Sequence, residues 1–112
     1  MKTLIRSAIV SVLLLFTFQA HAQYNDNMRG VLSDVMVYTD GGYIYFRLKN
    51  QPVSHPYCNP DYFVISEKVP YKRREMLLSR LLTAYRMEEN VNIGYDSEGD
   101  CVHGYMRVHR VG

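Results

Sequence analysis

Three observations in the sequence predict a mainly β domain with one α-helix. Several segments between Val31 and Val111 alternate apolar and polar residues, which is the pattern of half-buried strands. One segment, Tyr71–Met87, carries its apolar residues at helical spacing instead. The chain also has only two cysteines, Cys58 and Cys101, so it can form a single internal disulfide.

The N-terminal 22 residues have the three-part layout of a secretory signal. Two cations, Lys2 and Arg6, precede an apolar run over residues 8–18, and the segment ends with the small-x-small site Ala20-His21-Ala22. An uncleaved anchor helix is the alternative, but the run is short for a hydrocarbon core of about 30 Å. We therefore expect cleavage after Ala22, a secreted or periplasmic location, and one domain over residues 23–112 that does not insert into a membrane.

The expected mature chain carries no net charge. The full sequence has 13 Lys+Arg and 11 Asp+Glu, and removal of Lys2 and Arg6 with the signal leaves 11 of each. A nucleic-acid-binding protein needs a basic excess to displace counterions, and a polybasic membrane-surface protein needs one as well. The charge balance argues against both classes.

The first half of the domain reads as a β-hairpin. Residues 23–29 are polar and are expected to be frayed, and Val31–Tyr38 is rich in β-branched residues, as strands are. Thr39–Gly42 is a turn sequence, and Tyr43–Leu48 then alternates, with Ile44, Phe46 and Leu48 on one side and Tyr43, Tyr45 and Arg47 on the other.

The second half contains the helix and the remaining strands. Three prolines make Asn50–Asp61 an irregular connection, and Tyr62–Ile65 is a short apolar strand. The helix is predicted over Tyr71–Met87, with a broad apolar stripe at Met76, Leu77, Leu78, Leu81, Leu82, Ala84 and Tyr85, and Asn90 is expected to close it. A fourth strand (Val91, Ile93, Tyr95), a turn (Asp96–Asp100) and a fifth strand (Val102–Val111) complete the chain.

The element order is therefore strand, strand, strand, helix, strand, strand. A five-stranded antiparallel OB-like barrel, with its helix between strands three and four, has this order. The helix would plug one end of the barrel and bury Leu77, Leu81 and their neighbours. The alternative is a helix packed on one face of an open antiparallel sheet.

A disulfide between Cys58 and Cys101 would tie the segment before strand three to the turn after strand four. In an exported protein such a bridge persists, and a loop of this length gives about 4 kcal/mol in the chain-entropy model. Two alternatives are a catalytic thiol with His55 or His103 as its base, and a bridge between two chains.

The residue pattern does not predict an enzyme, a metal or a cofactor. No histidine pair has the spacing of a helical zinc site, and no nucleophile stands beside a base with an orienting acid. Asp96, Glu98 and Asp100 crowd one turn as adjacent exposed acids, but they lack the twelve-residue pattern of a calcium loop.

Tyrosine is the most informative residue type in the chain. All ten tyrosines lie after residue 22, and the sequence has no tryptophan. Two strands place Tyr and Arg on their non-core sides: Tyr43, Tyr45 and Arg47 on one, and Tyr105, Arg107 and His109 on the other. Such side chains form sugar- or protein-binding surfaces, although tyrosine also stabilises sheets without any partner.

Lys72-Arg73-Arg74, at the start of the helix, is either a solvated turn or a partner contact.

Four segments resemble the B subunit of subtilase cytotoxin and related pertussis-like toxin B subunits. They are Met28–Tyr38, the hairpin Tyr43–Leu48, Leu82-Thr83-Ala84-Tyr85 near the helix end, and Val91-x-Ile93-x-Tyr95. The resemblance implies an exported, non-enzymatic domain that forms a ring, usually a pentamer, beside an enzymatic A subunit and binds cell-surface glycans, often sialylated. Where that family has a serine that helps to grip the sugar, this chain has Arg29, before Gly30. Tyr85 matches a tyrosine of the family.

The expected function is glycan recognition by an exported binding module, with Arg29, Tyr43, Tyr45, Arg47 and Tyr85 as candidate binding residues. The alternative is a periplasmic or envelope protein that binds another protein without recognising sugar.

Overall fold

A computed structural model of the protein describes residues 24–112. The predicted signal peptide, residues 1–22, lies outside the described residues. The elements, in chain order, are β1 (Asp26–Val37), β2 (Ile44–Leu48), β3 (Asn59–Ile65), α1 (Tyr71–Met87), β4 (Asn90–Tyr95), β5 (Cys101–Val102) and β6 (Tyr105–Val111). The predicted mainly β fold with one helix is confirmed, and the helix has the predicted bounds.

β1 is a long strand that belongs to two pairings. Its first half pairs with β4, from Asp26–Tyr95 to Val31–Asn90, and its second half pairs with β2, from Leu32–Leu48 to Val37–Ile44, with an irregularity at Ser33. The expectation that residues 23–29 are frayed is therefore wrong for 26–29. Those residues are mostly exposed, but their backbone groups bond to β4 and Met28 packs against the core.

The strands close into a five-stranded barrel in the order β3-β2-β1-β4-β6, with β3 also paired to β6. Closure excludes the alternative of an open sheet. The β3–β6 pairing is parallel, whereas the other pairings are antiparallel, so the expectation of a wholly antiparallel barrel needs correction. The reason is parity, because a ring with an odd number of strands cannot alternate direction at every pair.

The core lies inside this barrel. The predicted inward side of β2 is confirmed, since Ile44, Phe46 and Leu48 are at most 2% exposed. Phe46 stacks on Phe63 with ring centroids 5.5 Å apart. Other strands contribute Leu32, Ile65, Val91, Ile93, Tyr95, Met106 and Val108.

α1 covers the barrel with a narrower surface than its sequence suggests. Leu81 and Ala84 are fully buried, and Leu77 and Leu78 are partly buried. Met76, Leu82 and Tyr85 are 70%, 44% and 44% exposed, so the predicted stripe is too broad. The helix has only a barrel end to cover, and positions on the flanks of the stripe therefore face outward.

The ends of α1 have different local chemistry. Pro70 precedes the helix without a side-chain cap, and Arg74 ties the first turn to the β1–β2 turn by donating to the carbonyls of Val69 (2.9 Å) and Gly42 (2.8 Å). Arg74 is thus a structural contact rather than a solvated cation. At the other end Glu88, not Asn90, adopts the left-handed conformation that closes the helix, with φ 52°.

Two predicted strands have different bounds in the structure. β3 begins at Asn59 rather than Tyr62, and Pro60 fits there because β2 pairs with β3 only from Phe63 onward. The predicted strand Val102–Val111 is interrupted by a two-residue turn at His103 and Gly104, which separates β5 from β6. Both turn residues have positive φ, 52° and 87°, as a tight hairpin turn requires.

The disulfide between Cys58 and Cys101 is formed, with Cα atoms 5.6 Å apart. It joins the segment just before β3 to the chain after β4, as predicted, although Cys101 begins the short strand β5 rather than lying in a turn. The bridge uses both cysteines of the chain, which excludes the catalytic-thiol and interchain alternatives. His55 braces the same corner: Nδ1 accepts from the amides of Tyr57 and Cys58, and Nε2 lies 3.0 Å from the carbonyl of Asp96.

Candidate ligand-binding surface

Five tyrosines form one aromatic surface on the outside of the barrel. This tyrosine face consists of Tyr38, Tyr43, Tyr45, Tyr62 and Tyr105, which come from the β1–β2 hairpin, β3 and β6. Strand alternation explains their position, because residues next to inward-facing Ile44, Phe46 and Phe63 must point outward. The face thus uses the strand sides that the sequence identified as non-core.

Tyr45 lies at the centre of the tyrosine face. Its ring centroid is 4.9, 5.5, 5.7 and 5.0 Å from those of Tyr38, Tyr43, Tyr62 and Tyr105. These contacts leave Tyr45 only 8% exposed, whereas Tyr38 is 39% exposed and the other three tyrosines are partly exposed. Tyr45 therefore supports the surface, and a ligand would touch its neighbours.

The phenol groups of this face are close enough to influence each other. Burial raises the pKa of Tyr45, and the nearby phenols of Tyr105, Tyr43 and Tyr38 and the carboxylate of Glu67 raise it further. The short distances between the ring centroids bring these groups close enough for such effects. The surface therefore combines aromatic rings with phenol hydroxyl groups.

A hydrogen-bonded pair, Glu67 and His103, borders the tyrosine face. His103 Nε2 lies 3.1 and 3.2 Å from the two carboxylate oxygens of Glu67, and its ring lies 4.5 Å from that of Tyr43. The His103–Gly104 turn holds the imidazole in place. The pKa of Glu67 is lowered by a hydrogen bond from its own backbone amide and by the bond to His103.

Arg47 forms the opposite border. Its Nη1 donates to the carbonyl of Asp61 (2.6 Å), and its guanidinium lies 5.9 Å from the centroid of the Tyr62 ring. A cation fixed over an aromatic face is a common recognition element. The tyrosine face therefore lies between the Arg47 guanidinium and the hydrogen-bonded pair of Glu67 and His103.

The structure brings three of the five candidate residues together and separates the other two. Tyr43, Tyr45 and Arg47 belong to the tyrosine face or its border. Arg29 is exposed on the β4-paired half of β1, and Tyr85 lies near the end of α1 in a different surface depression with Lys49 and Glu88.

The surroundings of Arg29 are nevertheless fixed. The side chain of Asn50 crosses over Gly30 and donates to the carbonyl of Arg29 at 2.9 Å. A Cβ atom at Gly30 would overlap the Asn50 amide, so any larger residue there would displace that side chain from its hydrogen bond to Arg29.

Sequence reasoning missed four members of this surface: Tyr38, Tyr62, Glu67 and His103. Tyr62 was detectable, because it precedes the core residue Phe63 and must point outward. Tyr38, Glu67 and His103 lie in or next to turns, where strand alternation predicts nothing. The His-Gly pair at 103–104 was the one sequence signal for the hairpin turn that carries the imidazole.

Arg107 and His109, the other non-core residues of the last strand, do not join the tyrosine face. Both contact Asp100: Arg107 Nε donates to Oδ1 at 2.8 Å, and His109 Nε2 lies 2.6 Å from Oδ2. The Asp100 side chain is only 8% exposed, so the expectation of an exposed acidic turn is wrong at this residue.

The described part of the chain holds no group of three or more His, Cys, Asp or Glu side chains arranged to bind a metal ion. Within residues 24–112, no helix has both the length and the apolar character needed to cross a membrane.

The chain matches no family model, and comparisons with curated proteins and with solved structures found no similar protein. A function for this protein therefore has to be inferred from the geometry of the described residues. The tyrosine rings can stack against the apolar face of a sugar, while the phenol groups, Arg47 and the Glu67–His103 pair can hydrogen-bond its hydroxyls.

Proposed function

We propose that the protein is an exported, non-enzymatic binding module that recognises a glycan through its tyrosine face. The supporting observation is the group of five neighbouring tyrosine rings on the outer side of an OB-like barrel. In barrels of this type the face of strands 2 and 3 and the adjoining loops bind oligosaccharides and oligonucleotides, an analogy at the level of fold. The balanced charge of the expected mature chain favours the sugar over the nucleic acid.

The test is a glycan array probed with the mature protein, residues 23–112, produced by export. Tyr43→Ala and Arg47→Gln should each weaken binding, by roughly tenfold for a lost aromatic stacking contact. Tyr57→Ala is the matched control, because Tyr57 is 79% exposed and lies outside the tyrosine face. If the folded wild type binds no glycan at high protein concentration, the proposal is wrong.

The resemblance to toxin B subunits extends this proposal to a ring of identical subunits and an enzymatic partner. Native mass measurement tests the ring, because a pentamer and a monomer differ fivefold in mass. An adjacent gene for a toxin A subunit would support the partner, and retention of a monomer in the periplasm would contradict both extensions.

A second candidate is an envelope protein that binds another protein, and exposed apolar side chains on α1 favour it. Met76 and Met87 are 70% and 69% exposed, and Leu82 borders a surface groove of about 500 Å³ along the helix. Exposed methionines suit adaptable protein contacts. Under this alternative Leu82→Gln, rather than Tyr43→Ala, should abolish co-purification with the cellular partner.

A further inference from the structure

A second groove lies where β3 and β6 separate. The two strands pair only as far as Val64–Arg107, after which β3 leads away into α1. The opening has a volume of about 430 Å³. It is lined by Val69, Met76 and Leu77 from the helix side, by Arg73 of α1, and by Arg107 and His109 of β6. We refer to it as the basic groove, and none of these residues belongs to the tyrosine face.

The charges of the basic groove do not cancel. Arg73 and Arg107 are two permanent cations, and in residues 24–112 Asp100 is the one carboxylate that hydrogen-bonds to the lining side chains. Asp100 neutralises one of these two cations, and its side chain is only 8% exposed, so it orients Arg107 and His109 from behind. One positive charge remains in excess, and it favours an anion in the groove.

Arg107 is held in a conformation suited to that task. The carboxylate of Asp100 accepts a hydrogen bond from Arg107 Nε, and the backbone carbonyl of Asp100 accepts one from the Arg107 amide at 3.1 Å. Nη1 and Nη2 make no hydrogen bond within the described residues, so the end of the guanidinium retains a pair of donors. Such a fork binds a carboxylate through two parallel hydrogen bonds.

The opposite wall of the groove is apolar. Met76 is 70% exposed, and Val69 and Leu77 are partly buried against the core. Pockets of several hundred cubic ångströms with an apolar wall and a few polar groups are typical small-molecule sites. We propose that the basic groove binds a small anionic amphiphile, with a carboxylate head on Arg73 and Arg107 and an aliphatic chain along Met76 and Leu77.

The test is an NMR titration of the mature protein with octanoate, octan-1-ol and acetate. Octanoate should saturate one site and shift the signals of Met76, Leu77 and Val108. Octan-1-ol, which lacks the charge, and acetate, which lacks the chain, should each bind at least tenfold more weakly. Equal affinity for octan-1-ol, shifts confined to the tyrosine face, or no binding at millimolar octanoate would each overturn the proposal.

Two pairs of variants test whether octanoate binds in the basic groove. Arg73→Gln and Met76→Asn should weaken octanoate binding severalfold, because they remove a head contact and a chain contact. Arg86→Gln and Met87→Asn make the same changes at exposed positions near the other end of α1 and should leave the affinity unchanged. Equal losses in both pairs would contradict a site in the basic groove.

Discussion

At the residue scale, phenylalanine and tyrosine are sorted between the two sides of the barrel wall. Phe46 and Phe63 are fully buried inside, whereas their sequence neighbours Tyr45 and Tyr62 lie outside. A buried phenol needs a hydrogen-bond partner and a phenyl ring does not, which favours phenylalanine at the inward positions of β2 and β3, although Tyr95 of β4 also lies in the core. Tyrosine on the outer side shields the sheet with its ring and keeps its hydroxyl available to solvent or ligand.

Glu67 offers a test of the border of the tyrosine face. Its own backbone amide makes the largest contribution to lowering its pKa, and His103 makes the second. His103→Asn keeps a residue that tolerates the left-handed conformation but removes the imidazole. The pKa of Glu67 should therefore rise only part of the way towards its ordinary value of 4.5, as measured by NMR of the side-chain carboxyl.

The wild-type protein and Lys68→Gln, which changes an exposed charge beside Glu67, serve as references for that titration. A complete return of the Glu67 pKa to its ordinary value would show that the backbone hydrogen bond contributes nothing. A carboxyl whose pKa is lowered in the folded state stabilises the fold above its unfolded pKa, which is the ordinary value of 4.5 for Glu67. That contribution is lost as the pH falls through the folded value.

At the element scale, two adjacent leucines of α1 differ in burial. Leu81 is fully buried, whereas Leu82 is 44% exposed. Leu81→Ala should lower the free energy of unfolding by about 2–5 kcal/mol, because it removes apolar contacts and leaves a cavity. Leu82→Ala should cost less than about 1 kcal/mol, as surface substitutions do. Urea unfolding measures both variants, and equal losses would mean that the helix does not dock through Leu81.

Gly104 of the β5–β6 turn and Gly99 of the β4–β5 connection differ in how much their backbone conformation requires glycine. Gly104 has φ 87° and open space where a Cβ would lie, so Gly104→Ala should destabilise by about 1–2 kcal/mol through backbone strain alone. Gly99 also has open space but no positive φ, which makes Gly99→Ala a matched control with an expected change near zero or slightly stabilising.

Thermal or urea unfolding of the two alanine variants measures this difference. If Gly99→Ala loses as much stability as Gly104→Ala, backbone conformation is not the cause. Glycan binding by Gly104→Ala should fall as well, since the turn positions His103 beside Tyr43.

The success of sequence reasoning also varies by element. The hairpin of β1 and β2 and the helix are local, so alternation, turn glycines and helical spacing were enough to predict them. Alternation also identified the outer side of β2. It could not show that Arg29 and Tyr85 lie elsewhere, because their separation depends on how the barrel curves and where α1 docks.

At the scale of the whole molecule, closure decides which outer residues meet. The parallel β3–β6 pairing brings Tyr62 of β3 beside Tyr105 of β6, with ring centroids 5.7 Å apart. Two positions later along β6, the divergence of the same strands opens the basic groove. The line along which β3 and β6 first pair and then diverge, which we call the seam of the barrel, therefore forms both candidate binding surfaces.

The disulfide holds this seam from one end, and its removal is the most demanding test of the whole fold. Cys58 and Cys101 are 43 residues apart in sequence, and their link stabilises by about 4 kcal/mol in the chain-entropy model. A domain of this size has roughly 4–13 kcal/mol of stability in total. The double variant Cys58→Ala/Cys101→Ala should therefore unfold at a much lower urea concentration than the oxidised protein. Wild type kept reduced serves as the control: a matching midpoint would attribute the loss to the missing covalent link, whereas midpoints equal to that of the oxidised protein would show that the seam holds without it.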